Sequence, residues 1–438
     1  MRVVIPRLIL SCLLLLLPSV LPATETAIDS NTIVRIEQRD VIGSDKQNIL
    51  PATQFIGLDA EKLADMDLSL HFYGWGRVDL GDKSFNDDYT DGGFTYGYLR
   101  YRFNAANADI LAGRFFVREG IANEQVDGIS ARTDLPLGFG ISAFGGANIH
   151  NRNLFRENSD GKGDTLFGGR FNYRFKGMID LGISGVYEST APTLLFHSNG
   201  DHRLVGGDVW LAPLKQLELI GHSSYNTETS AFAEHSYLLN IRPMQHLTLS
   251  VEFNEHREKS YFFSWAMFSG ASFNPDDRSQ SVGTVASYEI SKGVEIAGDY
   301  KHYKRETGSA NRYGADARLS FLDNALRTGI GYHYLNAGES FAIGSNPSAT
   351  YHEIRTYALH DTKTYFGAVD LLGFFFADKV FDQKSALEGV LSVGYHITPS
   401  LALSGDVSYG RNPEFTQEAK GLVRLSYNPV FGGKGEKK

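Results

Sequence analysis

From about Ala64 to Tyr427 the chain alternates apolar and polar residues with a period of two, almost without interruption. In the stretch Phe167 to Phe175, the residues Phe167, Gly169, Phe171, Tyr173 and Phe175 share one face. Gly168, Arg170, Asn172 and Arg174 take the other. Tyr313, Ala315, Ala317, Leu319 and Phe321 likewise oppose Gly314, Asp316, Arg318 and Ser320. Leu401, Leu403, Val407 and Tyr409 oppose Ala402, Ser404, Asp406 and Ser408. Successive side chains on a strand point to opposite faces, so each stretch predicts a strand with one apolar and one polar face. Helical periodicity fits none of them. About 20 such strands are expected.

The connections carry a second pattern. Every other one is very short, as at Asn104-Ala105-Ala106-Asn107, Lys176-Gly177, Ser291-Lys292-Gly293 and Thr398-Pro399-Ser400. Most of the intervening ones are longer and more polar: Gly81 to Gly93, Ile149 to Asp164, Glu188 to Asp201, Glu255 to Arg278 and Gly338 to Ala349. Short turns at one end and long loops at the other are the mark of an outer-membrane barrel, which also has an even strand number. The expected fold is therefore all-β: a transmembrane, antiparallel, up-and-down β-barrel with short periplasmic turns and long external loops. Closure would satisfy every backbone hydrogen bond without leaving an edge. Phe103, Tyr173, Phe175, Phe321, Tyr395, Tyr409 and Tyr427 fall near strand ends on the outward faces, where interfacial girdles would lie.

The rest of the chain divides simply. Arg2 and Arg7 precede the apolar run Leu8 to Leu17, and small residues follow near Ala23. Residues 1–23 read as a secretory signal peptide, with Ala27 as the later cleavage option. Residues 24–63, polar with scattered apolar groups, are expected to form a periplasmic N-terminal segment or partial plug. The barrel is expected over 64–431, ahead of a polar tail at 432–438.

Composition narrows the function. The sequence has 438 residues with 46 Gly, 29 Phe, 22 Tyr and a single Cys, Cys12, which lies within the leader. The exported chain would thus have no thiol for a disulfide or for covalent haem. Losing Arg2 and Arg7 takes the net charge from −9 to −11, which argues against nucleic acid as a partner. No Gly-x-Ser-x-Gly elbow or His-Glu-x-x-His pattern occurs, so no catalytic residues are assigned and no enzyme is expected. Asp87-Asp88 with Asp91, and Asp276-Asp277, have the carboxylates that Ca²⁺ takes. Such clusters more often mark solvated loop tips, so no metal ligands and no cofactor are assigned. The stretch Tyr261 to Phe268 is unusually apolar for an external loop and is expected to be buried, in the lumen, above the membrane or against a partner.

The predicted lumen face is rich in charge. Arg100, Arg102, Arg114, Arg118, Arg170 and Arg174 come from the first third of the chain. Glu252, Glu295, Asp299, Lys301, Asp316, Arg318, Arg327, Glu388, Asp406, Lys420 and Arg424 follow. An arginine wall facing an acidic one would set up a transverse field that selects ions. The simpler alternative is that these charges pair across neighbouring strands.

Three stretches carry a family resemblance: Pro51 to Asp59, Leu68 to Arg77 and Gly113 to Val117. Together they resemble porin-like outer-membrane proteins of metal-reducing bacteria. That resemblance implies either a channel or the barrel of a porin–cytochrome conduit, whose lumen sheathes a partner multihaem c-type cytochrome. None of the three stretches is a ligand or catalytic motif, so no functional residue carries over. Two functions follow: a channel with a charged lumen for small hydrophilic solutes or ions, or a structural sheath for electron transfer. Outer-membrane lipid is the expected surround, with a homo-oligomer as a further partner.

Overall fold

The computed structural model describes residues 25–41, 47–82, 89–149, 165–191, 200–257, 278–305, 308–337, 350–413 and 415–431. Strands form wherever the two-residue period runs. The first are β1 (Glu25–Val41), β2 (Gln47–Ile49), β3 (Pro51–Glu61), β4 (Leu68–Asp79), β5 (Thr90–Phe103) and β6 (Ala108–Glu119). Next come β7 (Ala122–Asp134), β8 (Phe139–Asn148), β9 (Leu166–Phe175), β10 (Ile179–Ala191), β11 (Gly200–Leu214) and β12 (Leu217–Asn226). They are followed by β13 (Ala231–Met244), β14 (Leu247–His256), β15 (Ser279–Ser291), β16 (Val294–Arg305), β17 (Gly308–Phe321) and β18 (Leu326–Ala337). The last are β19 (Tyr351–Asp361), β20 (Tyr365–Val380), β21 (Gln383–Thr398), β22 (Leu401–Arg411), β23 (Phe415–Tyr427) and β24 (Val430–Phe431).

From β3 to β23 consecutive strands pair antiparallel, β1 pairs with β3, and β1 closes the ring against β23 from Ser30↔Tyr427 to Val41↔Phe415. Two of the 24 strands are continuations. β2 pairs with β1 in the register of β3, and β24 pairs with β1 in the register of β23. Pro51 and Pro429 sit at these interruptions, and neither has an N–H to give the ladder. The result is a closed barrel of 22 strands with two short extra strands.

Between residues 64 and 427 lie 20 strands, β4 to β23. The other two are a correction. Residues 24–63, expected as a periplasmic segment or plug, supply β1 and β3 of the wall instead. Their alternation is weak in sequence because Ser30, Thr32 and Gln54 take outward positions. The three satisfy one another: Thr32 Oγ1 donates to Gln54 Oε1 at 2.5 Å, and Gln54 Nε2 donates to Ser30 Oγ at 3.1 Å. The expected leader (1–23) and tail (432–438) lie outside the described residues.

Connection lengths follow the sequence pattern. The ten at the end bearing the termini are two to six residues long, while five at the opposite end span eight to 22. Three of the short ones are 3₁₀ turns: Leu63–Asp65, Asn104–Ala106 and Pro136–Gly138.

Candidate functional site

Contacts between strands that are not neighbours identify the inner face, since only the concave side can bring them together. Ser142 Oγ on β8 donates to Glu119 Oε2 of β6 at 3.1 Å, and the Ile121 amide donates to Ser184 Oγ of β10 at 3.1 Å. Ser142 and Ser184 belong to the polar rows of their strands, along with Arg170 and Asp208. The polar rows therefore line the lumen. The apolar rows face outward: Ile129, Ile183, Val407 and Val423 are each more than half exposed, Ile183 at 67%.

The lumen is not uniformly open. β5 and β6 pair only from Phe103↔Ala108 to Gly97↔Arg114, whereas β6 and β7 stay paired up to Glu119↔Ala122. Beyond Arg114 the β6–β7 hairpin leaves the wall and its tip crosses to β10 and β11. The departure occurs at Gly113, whose φ is +130°. A Cβ there would overlap the Gly97 carbonyl oxygen, so the close approach requires glycine. Gly120, at the tip with φ +62°, is similarly pressed against Ser184 and Asp208.

Apolar contacts hold the hairpin inward. Phe115, Val117, Ile121, Ala122 and Val126 bury against the lumen-facing Phe144, Leu166, Val186, Leu204 and Ala233. Each large apolar side chain buried this way contributes about 1.5–3 kcal/mol. On the hairpin's other face, Arg114 Nη1 donates to the Phe94 carbonyl at 3.2 Å, and Gln125 donates to the Thr95 carbonyl. These side chains supply β5 with donors where β6 has left it.

The predicted charged residues separate into two groups. Arg100, Arg102, Arg170, Arg174, Glu252, Glu295, Asp299, Asp316, Arg318, Asp406 and Arg424 occupy inward rows. Arg114 and Arg118 do not. They share the opposite face of β6 with Ile110 and Phe116, where Arg114 pairs with Asp127 at 2.6 Å and stacks over Phe94. The inward row of β6 is the odd one, Asp109, Leu111 and Phe115, and its basic residues are even-numbered.

No arginine wall stands apart from an acidic one. Arg100 and Arg132 both hold Asp109, at 2.9 and 2.8 Å. Arg170 bridges Asp180 at 2.8 Å and Asp208 at 2.5 Å, and Arg174 reaches Asp134 at 3.2 Å. Elsewhere Lys301 pairs with Glu252 at 2.5 Å, Arg318 with Glu295 at 3.2 Å and Arg312 with Asp299 at 3.0 Å. Asp406 and Arg424 form no ion pair among the described residues. The lumen charges thus interleave across adjacent strands, as cross-strand pairing favours.

Some functional groups were invisible in sequence. Asp109, Asp180 and Asp208, the partners of the arginines, are isolated acids in polar rows. On β16 to β19, Asp299, Asp316, His333 and Glu353 converge beside a recess of about 490 Å³. Ser69, His71 and Asp59 also form an array: His71 Nε2 lies 2.9 Å from Ser69 Oγ, and Nδ1 lies 2.6 Å from Asp59 Oδ1. Ser69 is only 5% exposed, whereas the Asp59 carboxylate is about half exposed. The apolar stretch Tyr261 to Phe268 and the acidic pairs Asp87-Asp88 and Asp276-Asp277 lie outside the described residues.

The fold is similar to that of the ferric enterobactin receptor PfeA of Pseudomonas aeruginosa. A double mutant of that receptor matches with a TM-score of 0.58 at 10% identity, covering 92% of this chain and 80% of that one. The same receptor in complex with BCV-L6 gives 0.56 at 9% identity, over 92% and 81%. OpdQ of Pseudomonas aeruginosa gives 0.45 at 10% identity, over 93% and 99%. At such identities the likeness is one of fold. No protein-family model matches the chain, and no curated protein sequence matches it.

Proposed function

We propose that the chain is an outer-membrane channel whose charged lumen passes small hydrophilic solutes or ions, narrowed by the inward β6–β7 hairpin. The observation that carries this reading is the polarity of the two faces. A closed barrel in water buries its apolar rows and exposes its polar ones. Here the apolar rows face out and the ion pairs face in, which is the arrangement that lipid outside and water inside favour. In this reading the termini and short turns are periplasmic, and outward aromatics such as Phe103, Phe321, Tyr395 and Tyr427 sit at the interface.

The sheath reading needs a lumen free to receive a second protein. The hairpin packed on the inner wall of β8 to β11 takes up part of that space, which favours the channel, and the resemblance to porin–cytochrome barrels keeps the sheath as the competing reading. Planar-bilayer recording of the purified full chain separates them. Stepwise ohmic currents with no haem protein present are the expected result. Silent bilayers from folded protein, or currents only after a co-purifying cytochrome is removed, would overturn the proposal.

A further inference from the structure

Asp299 on β16, Asp316 on β17 and His333 on β18 approach one another over two bare glycines. Gly314 is paired with Asp299 on one side and His333 on the other, and Gly331 is paired with Asp316. A Cβ on Gly314 would overlap the His333 ring and Asp299 Oδ1, and one on Gly331 would overlap Asp316 Oδ1. With no side chain between them, the three groups lean together until one donor atom from each lies within 4.8 Å of the others. His333 Nε2 stands 3.0 Å from Asp299 Oδ1 and 3.8 Å from Asp316 Oδ2.

The atoms turned away from this cleft are held by other groups. Arg312 Nη1 donates to Asp299 Oδ2 at 3.0 Å, which leaves Oδ1 directed inward. His333 Nδ1 faces Glu353 Oε1 at 3.5 Å, and this ring nitrogen has no hydrogen-bond partner although the residue is only 8% exposed. A carboxylate behind the second nitrogen of an imidazole is the arrangement that orients a metal-bound histidine.

Charge gives a separate indication. Lys301, Arg318 and Arg355 are engaged by Glu252, Glu295 and Asp370. Among the described residues, neither Asp316 nor Glu353 forms an ion pair with Lys or Arg. Three carboxylates against the single Arg312 leave two negative charges around a buried imidazole, the deficit that a divalent cation neutralises.

We propose that Asp299, Asp316 and His333 are the ligands of a lumen site for a divalent first-row transition cation, with Glu353 orienting the imidazole. Two carboxylates and one imidazole suit Zn²⁺ or Mn²⁺, whereas Ca²⁺ and Mg²⁺ take oxygen ligands. The adjoining recess supplies an entry path from the lumen.

The test is calorimetric titration of the tag-free full chain in detergent with Zn²⁺ alone, and Mg²⁺ as control. One saturable Zn²⁺ site is expected. Glu353→Gln should weaken it roughly ten- to a hundredfold, and His333→Gln or Asp316→Asn should weaken it at least as much. X-ray absorption of the Zn²⁺-loaded wild type should show one imidazole among oxygens, a readout that does not depend on any variant folding. No saturable Zn²⁺ binding by the wild type, an all-oxygen shell, or wild-type affinity in both folded ligand variants would overturn the proposal. The site faces the lumen but is assayed without conductance, so its failure and that of the channel reading are distinguishable.

Discussion

Single residues decide where this barrel departs from regularity. Gly113 is the clearest case, because its φ of +130° and its approach to the Gly97 carbonyl leave no space for a Cβ. Gly113→Ala should destabilise the folded chain by about 1–3 kcal/mol, measured as a lower temperature at which the folded band is lost on electrophoresis. Arg170 is a second such residue, since it bridges Asp180 and Asp208. Arg170→Ala leaves Asp208 without its cation, while Asp180 keeps Arg174 at 3.5 Å and the Asn172 amide at 3.0 Å. A loss of about 3 kcal/mol is expected from the urea midpoint, and an unchanged midpoint would show that water screens Asp208 fully. Arg170 and Arg174 share one strictly alternating row of β9, which is why the sequence groups them. Arg114 falls in the other row of β6 because charge alone does not tell an inward row from an outward one, and Arg118 lies on the hairpin beyond the point where it leaves the wall. Along β6 both rows carry charge, and the parity is set only by pairing with β5.

At the scale of the element, the β6–β7 hairpin is the device that shapes the lumen. Its inward row carries the apolar Phe115, Val117, Ala122 and Val126 beside Glu119 and Glu124, and the apolar members meet the apolar patch of Phe144, Leu166, Val186 and Leu204 in an otherwise polar lumen. That inversion is visible in sequence once the parity is known, and it is the trace a lumen-buried segment leaves. Replacing residues 115–126 by an Asn-Gly turn should raise single-channel conductance while leaving the barrel folded. Unchanged conductance would mean that the hairpin does not narrow the path. Phe115→Ala, a milder change, should cost about 3–5 kcal/mol of stability and broaden the distribution of current levels. The N-terminal strands show the opposite case. β1 and β3 lack a clean apolar row because Ser30, Thr32 and Gln54 satisfy one another across the outer face, so local hydrophobicity understated a segment that cross-strand hydrogen bonds hold in the wall.

The whole molecule is governed by which face meets which solvent. Ile183→Arg on the outward face should cost roughly 2–4 kcal/mol for a barrel folded in lipid. The same change in a barrel surrounded by water would cost almost nothing, so folding titrations into vesicles test the orientation directly. The short-turn and long-loop asymmetry, the closed antiparallel fold and the 20 strands between residues 64 and 427 were all legible in sequence. They depend on period-two alternation and on turn length, which are local properties of the chain. The full ring of 22 strands, the inward hairpin and the meeting of Asp299, Asp316 and His333 were not. Those three residues stand 17 apart in sequence, and only adjacent registers around Gly314 and Gly331 bring them within reach of one another. Sequence alone determined that the chain makes strands, and which residues share a row. Tertiary closure decided which row faces inward and which rows meet, because pairing register and contacts across the lumen belong to no single segment.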